Sequence, residues 1–120
     1  KGITMANTFK LKSNDAMPTS AGTPLTLYTV PGSTTTVVLG LMLCNVDSSQ
    51  RTVDVQIVSD TSDTETNSTV FAVKDAPVPA GSTLEVMAGN KVVLQATDVL
   101  KIDCDVAAKI DATLSIMEIT

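Results

Sequence analysis

The groups able to do chemistry in this chain are few, and the most versatile is missing: its 120 residues include no histidine. That removes the commonest general base and metal ligand. A Ser–His–Asp or Cys–His arrangement cannot be built. The two cysteines, Cys44 and Cys104, lack zinc-site spacing, and no glycine-rich phosphate loop occurs. What remains is acidic. Asp60, Asp63 and Glu65 share one stretch and offer oxygens suited to Ca2+, but without EF-hand spacing or the glycine of that loop. A solvated acidic loop is the simpler reading. Asp103 and Asp105 share one strand face beside Lys101, with Asp111 beyond them in what reads as the final hairpin. They form a solvated outer face or a row of intersubunit salt bridges. Asp98 follows Thr97 at the start of a strand, where a carboxylate bonds nearby backbone amides. Paired acids hydrolyse glycosidic bonds at suitable separation, but nothing in these spacings brings two of them into an apolar cleft. The expectation is a protein that is not an enzyme, with no cofactor, no metal and no small-molecule substrate.

Composition narrows the partners. The formal net charge is −5, so a basic footprint for DNA or RNA is lacking and anionic lipid is repelled. No apolar run reaches the roughly 18 residues of a spanning helix. With no Trp, one Tyr and two Phe, platforms for stacking sugars or bases are scarce. The expectation is no nucleic acid and no membrane. Each cysteine sits in an apolar strand, as a buried free thiol of reducing cytosol or as one half of a bridge across a sandwich. Immunoglobulin domains place a Trp beside such a bridge, and none exists here. Asn67-Ser68-Thr69 fits the glycosylation triplet without any secretory signal beside it.

These residues must be positioned by strands, since no segment sustains a 3.6-residue period with caps. In the first strand, 8–12, Phe9 and Leu11 face in while Lys10 and Lys12 face out. Residues 13–15 and 18–22 make an irregular connection, and 25–30 is the second strand. Pro31-Gly32-Ser33 turns the chain into a central strand at 34–46, and 47–50 is a short hairpin loop. In 52–58, Val53, Val55 and Ile57 point in. Residues 59–68 form the longest surface loop, and 69–73 resumes a strand. Pro77 and Pro79 exclude a regular central strand at 75–81. Residues 83–87 and 91–96 read as a hairpin. Leu100, Ile102, Cys104 and Val106 point in along 99–106, as do Leu114 and Ile116 along 112–119. About eight to nine short strands, with turns every 8–12 residues, predict an all-β antiparallel β-sandwich, jelly-roll-like or immunoglobulin-like. Residues 1–7 read as an N-terminal extension, with Met5-Ala6-Asn7 as a natural start and 1–4 as an upstream extension or expression remnant. Residues 8–120 read as one domain.

The most informative stretch is 34–46, apolar on both alternating phases. Leu39, Leu41 and Leu43 are expected on one side; Val38, Met42, Cys44 and Val46 on the other. A strand in a packed sheet is usually apolar on one side only. No helix is available to cover a second face, so a neighbouring subunit is the natural cover. Val38, Leu39, Leu41, Met42, Leu43 and Val46 are therefore the candidate subunit interface, which makes a homo-oligomer the expected form.

The order of several motifs resembles small virion structural proteins of marine tailed bacteriophages, cyanophages especially. The carriers are Met5-Ala6-Asn7-Thr8-Phe9-Lys10, Leu27-Tyr28-Thr29-Val30-Pro31 and Val38-Leu39-Gly40-Leu41-Met42-Leu43-Cys44-Asn45. They continue with Val78-Pro79-Ala80-Gly81-Ser82-Thr83-Leu84, Gly89-Asn90-Lys91-Val92-Val93-Leu94 and Leu114-Ser115-Ile116-Met117-Glu118-Ile119. The chain departs from the similar proteins at Cys44, where a small residue is commoner, and at Thr97, where Gly is. The resemblance implies a non-enzymatic β domain on the phage particle, assembled in the host cytoplasm with itself and other virion proteins. A tail or neck position comes first, capsid decoration or cementing second. A receptor-binding adhesion module, using 59–68 and 18–22, is the further alternative.

Overall fold

The computed structural model describes residues 6–59, 65–87 and 89–120. Among the described residues nine strands run in chain order: β1 (Asn7–Met17), β2 (Leu25–Thr29), β3 (Thr35–Asn45), β4 (Arg51–Val58), β5 (Val70–Val78), β6 (Thr83–Glu85), β7 (Val92–Leu94), β8 (Val99–Cys104) and β9 (Ile110–Ile119). They form two antiparallel sheets packed as a sandwich. Sheet 1 has the order β1-β9-β3-β6, with β7 also on β3; sheet 2 has the order β2-β8-β4-β5. Strands β6 and β7 do not form the hairpin predicted from their sequence. Both pair with β3, at Met42↔Glu85 and Val38↔Val92, as two halves of one interrupted strand. Three β3 residues separate those pairs, against six on the other side; of these six, Val86 still donates its amide to the Leu41 carbonyl at 2.9 Å and Met87 is buried in the core.

Counted as one strand, β6 and β7 complete the jelly-roll order: first, eighth, third and sixth in one sheet; second, seventh, fourth and fifth in the other. The immunoglobulin alternative falls, because it would keep the first two strands paired. Among consecutive strands only β4 and β5 pair. Residues 46–50 are therefore not a hairpin loop but a crossing from sheet 1 to sheet 2, and the segment between β8 and β9 crosses back. The first strand is longer than predicted, running on to Met17 past an irregularity after Asn14. Strand β5 includes Pro77 but lies at the sheet edge, where a missing N–H is tolerated.

Apolar side chains of alternating residues fill the space between the sheets. Leu114 and Ile116 of β9, Leu100 and Ile102 of β8, and Val53 and Val55 of β4 are all buried. Aliphatic residues build this core almost alone, with Tyr28 its one aromatic member. Cys44 and Cys104 are both free thiols, and burial pushes the Cys104 thiol above its ordinary value.

Two polar residues fix the crossings. Asn45, fully buried at the end of β3, donates from Nδ2 to the Ser49 carbonyl (2.8 Å) and the Val78 carbonyl (2.9 Å). Its Oδ1 accepts from the Asp47 amide at 2.8 Å. Its own backbone pairs with Ser82 and Gly81, each at 2.9 Å, so one side chain and one peptide unit tie together the ends of β3 and β5 and the 46–50 crossing. Asp98, buried before β8, accepts from the Gln95 amide at 2.9 Å, the backbone role read from its sequence position. The preceding Thr97 has φ +71°, a left-handed conformation that a β-branched residue adopts only under strain. Glycine takes that conformation without cost from a Cβ.

Two stability measurements follow. Asn45→Asp places carboxylate oxygens against two carbonyls and should lower the unfolding free energy by about 3 kcal/mol or more in denaturant titrations. Thr97→Gly should raise it by about 1 kcal/mol, seen as a Tm increase of roughly 3–6 °C.

Candidate functional site: an apolar sheet face beside an open edge strand

The apolar character of β3 on both phases has a local cause. Between the pairs Val38↔Ile116 and Gly40↔Ser115, β3 carries one residue more than β9, so Leu39 sits at a β-bulge. One extra residue inverts the alternation. Thr34, Thr36 and Val38 point inward before the bulge; Leu41, Leu43 and Asn45 point inward after it. The predicted grouping of Leu39 with Leu41 and Leu43, opposite Val38, is therefore corrected. Val38, Leu41 and Leu43 belong to the chain's own core, at 0%, 1% and 0% exposure, and cannot meet another subunit. Of the candidate interface, Leu39 is half-buried, while Met42 and Val46 are exposed. Gly40 leaves a shallow groove beside Leu39 and Met42, walled by Glu85, Met87, Thr113 and Ser115.

Strand β1 is inverted relative to its prediction. Phe9 and Leu11 do not face in; they are 71% and 68% exposed. The register Phe9↔Met117 and Leu11↔Ser115 sets them on the outer face of sheet 1. Lys10 and Lys12, opposite Ile116 and Leu114, lie on the inner side. Lysine is tolerated there because β1 is an edge strand, and the sandwich is open where β1 faces β2. Both lysines line the seam, and the Lys10 ammonium binds the buried Glu118 carboxylate there.

Across sheet 1 these registers line up one row. Phe9 pairs with Met117, Met117 with Val37, and Val37 with Val93, which puts four apolar side chains side by side on four strands, β1, β9, β3 and β7. Val93 is 56% exposed. Ile119 and Thr35 flank the row on one side, Leu11 and Ser115 on the other. Charges on this face, Glu85 and Asp111, lie toward its far end, opposite Met42 and Cys44. The outer face of sheet 2 contrasts with it. There Asp54 faces Asp103, Gln56 faces Lys101, and Lys74 lies 3.6 Å from Asp54 and 5.0 Å from the Phe71 ring centre. One face is solvated by charge; the other has an apolar middle.

The seam beside β1 holds the one buried acid–phenol pair seen among the described residues. Glu118 continues the inward phase of Leu114 and Ile116 and is buried. Its Oε1 accepts from Lys10 Nζ at 2.8 Å, and its Oε2 accepts from the Tyr28 hydroxyl at 2.5 Å. With the phenol proton so committed, Thr36 donates to the Tyr28 oxygen at 2.8 Å. The Lys10 and Tyr28 bonds hold the Glu118 carboxyl below its ordinary range. Burial, then the bond to Glu118, pushes the Tyr28 hydroxyl up to about 12. This network was not singled out from sequence, although the phase of β9 places Glu118 inward.

The remaining acids do not converge. Asp105 lies near Arg51 (3.9 Å) and accepts from the Thr52 amide (3.3 Å), on sheet 2. Asp111 is on the outer face of sheet 1. Arg51 binds Asp47 more closely, at 2.7 Å, and holds that carboxyl below its ordinary range. Asp60 and Asp63 lie outside the described residues, as do residues 1–5; Glu65 and the Asn67-Ser68-Thr69 triplet are exposed. Among the described residues no three Cys, Asp or Glu side chains gather as metal ligands. The 18–22 connection is tied down rather than free, with the Gly22 amide donating to the Cys104 carbonyl at 3.1 Å. Comparison with known proteins finds no matching family model, no matching curated protein and no matching solved structure.

The seam network makes stability depend on pH from both sides. Glu118, with its carboxyl held low in the fold, stabilises above the unfolded carboxylate pKa of about 4.3, and that contribution is lost as pH falls through the folded value. Tyr28, with its hydroxyl held high, stabilises fully below about pH 10, and that contribution declines between about 10 and about 12. Because Tyr28 is the single tyrosine, its phenolate absorbance should appear with a midpoint near 12 in the folded protein and near 10 after unfolding.

Proposed function

We propose that this chain is a non-enzymatic structural subunit that assembles with copies of itself through the outer face of sheet 1. The observation that carries the reading is the row Phe9, Met117, Val37 and Val93, with Leu11 beside it, in which Phe9, Leu11 and Val93 are exposed and Met117 and Val37 half-buried, on an acidic molecule. Exposed apolar patches of this kind mark association surfaces, and closed symmetry is the usual outcome between identical copies. The resemblance in motif order supports a place on a phage virion, in the tail or neck before the capsid surface. Jelly-roll domains also occur in viral capsids, as they do in lectins and cupins, so the connectivity is compatible with that place without selecting it.

Sedimentation over a concentration series tests the reading. The native chain should form a defined oligomer. Phe9→Ser combined with Val93→Ser should yield monomer, and at a dilution where the native chain is also monomeric its unfolding should differ by less than about 0.5 kcal/mol, since both side chains are exposed. A native chain that stays monomeric at high concentration and does not bind purified virions would overturn it.

A further inference from the structure

Strand β1 has a second free feature besides its outward side chains: one whole backbone edge. It pairs with β9 on one side and, among the described residues, with no strand on the other. The Thr120 amide donates to the Ala6 carbonyl at 3.0 Å, so that pair is a hydrogen-bonded one. Antiparallel ladders alternate, and the register from Asn7↔Ile119 to Asn14↔Ala112 is unbroken. Thr8, Lys10 and Lys12 therefore aim their backbone groups at β9. Asn7, Phe9, Leu11 and Ser13 aim theirs at the open edge. No proline or bulge interrupts these residues, so a regular ladder of four residues is available for pairing.

The flanking side chains restrict what can pair there. On the outer side lie Phe9 and Leu11. On the seam side lie Lys10 and Lys12, above Leu27, Tyr28, Thr26 and Thr29 of β2. Lys10 is engaged by Glu118, while Lys12 makes no ion pair among the described residues. A second copy of β1 is disfavoured. The antiparallel register that uses all four open residues sets Lys10 directly against its own counterpart, with Lys12 diagonal to it. Like charges in those positions oppose pairing, and inward-pointing lysines are a known guard of sheet edges.

We infer that the β1 edge captures an extended segment of a different protein by strand addition, and that this segment alternates apolar and acidic residues. Its apolar side chains lie beside Phe9 and Leu11 and widen the outer face of sheet 1. Its carboxylates reach over the seam to Lys12 and Lys10. Main-chain bonds supply affinity and the alternation supplies selectivity, the general logic of strand addition. The inference builds on the assembly reading by giving the chemistry of a partner other than itself. The two fail separately, since sedimentation reports self-association and peptide binding reports the edge.

The probe is a capped peptide of four Val–Glu repeats at neutral pH, titrated into isotope-labelled protein, with a Val–Lys peptide alongside. The Val–Glu peptide should bind, with the largest amide shifts and exchange protection at Asn7, Phe9, Leu11 and Ser13. Binding should weaken as salt rises from about 0.05 to 0.5 M. Leu11→Pro removes an edge-facing N–H and no bond to β9, so the variant should fold and bind at least about tenfold more weakly. Lys12→Glu should reverse the preference between the two peptides. The inference is overturned by absence of Val–Glu binding, by equal binding of both peptides, or by binding that neither variant changes.

Discussion

The period of two along a strand governs which residues this sandwich keeps and which it shows, and one extra residue in β3 decides the outcome. With Leu39 accommodated as a bulge, Val38 and Leu41 both reach the core, and so do the residues on either side of them in phase. Without the bulge, half of β3 would turn its buried row to solvent. The bulge also coincides with the break between β6 and β7 on the other side of β3. Strand β3 lies inside sheet 1, so its phase is transmitted through β9 to β1.

At β1 that transmitted phase meets a weak constraint. An edge strand over a seam that stays open toward β2 is packed too loosely to demand apolar side chains. Lysines on the inner side find water, and one of them finds Glu118. Glu118 in turn holds Tyr28, which belongs to sheet 2, and so closes the seam with charge-assisted bonds where apolar packing ends. The consequence is that Phe9 and Leu11 stand on the outside. The apolar outer face and the buried carboxylate are two results of one register.

The same arrangement governs how the polar and apolar groups are used. Three of the chain's buried polar groups serve backbone crossings and the seam: Asn45 at the β3 end, Asp98 before β8, Glu118 between the sheets. Among the described residues, the outer face of sheet 1 presents an apolar middle bordered by an open strand edge, a shape suited to extended contact with other chains.

Much of the architecture was legible in the residues, for stated reasons. Alternation in 52–58, 99–106 and 112–119 marked strands covered on one side, and the core residues Val53, Val55, Leu100, Ile102, Leu114 and Ile116 followed directly. Proline and glycine marked the corners, and Asp98 was recognisable from its position before a strand. Three features were decided by tertiary structure alone. The bulge at Leu39 was hidden because an unbroken apolar run has no polar residue to report the phase. The inversion of β1 was hidden because Phe-Lys-Leu-Lys alternates equally well either way up, and only pairing with β9 across more than a hundred residues selects the face. The crossings at 46–50 and between β8 and β9 look like hairpin turns because turn chemistry is local. Which sheet receives the next strand depends on where both apolar faces can be buried at once. Local chemistry determined the elements and their core rows; the closing of two sheets over one interior determined the faces left outside.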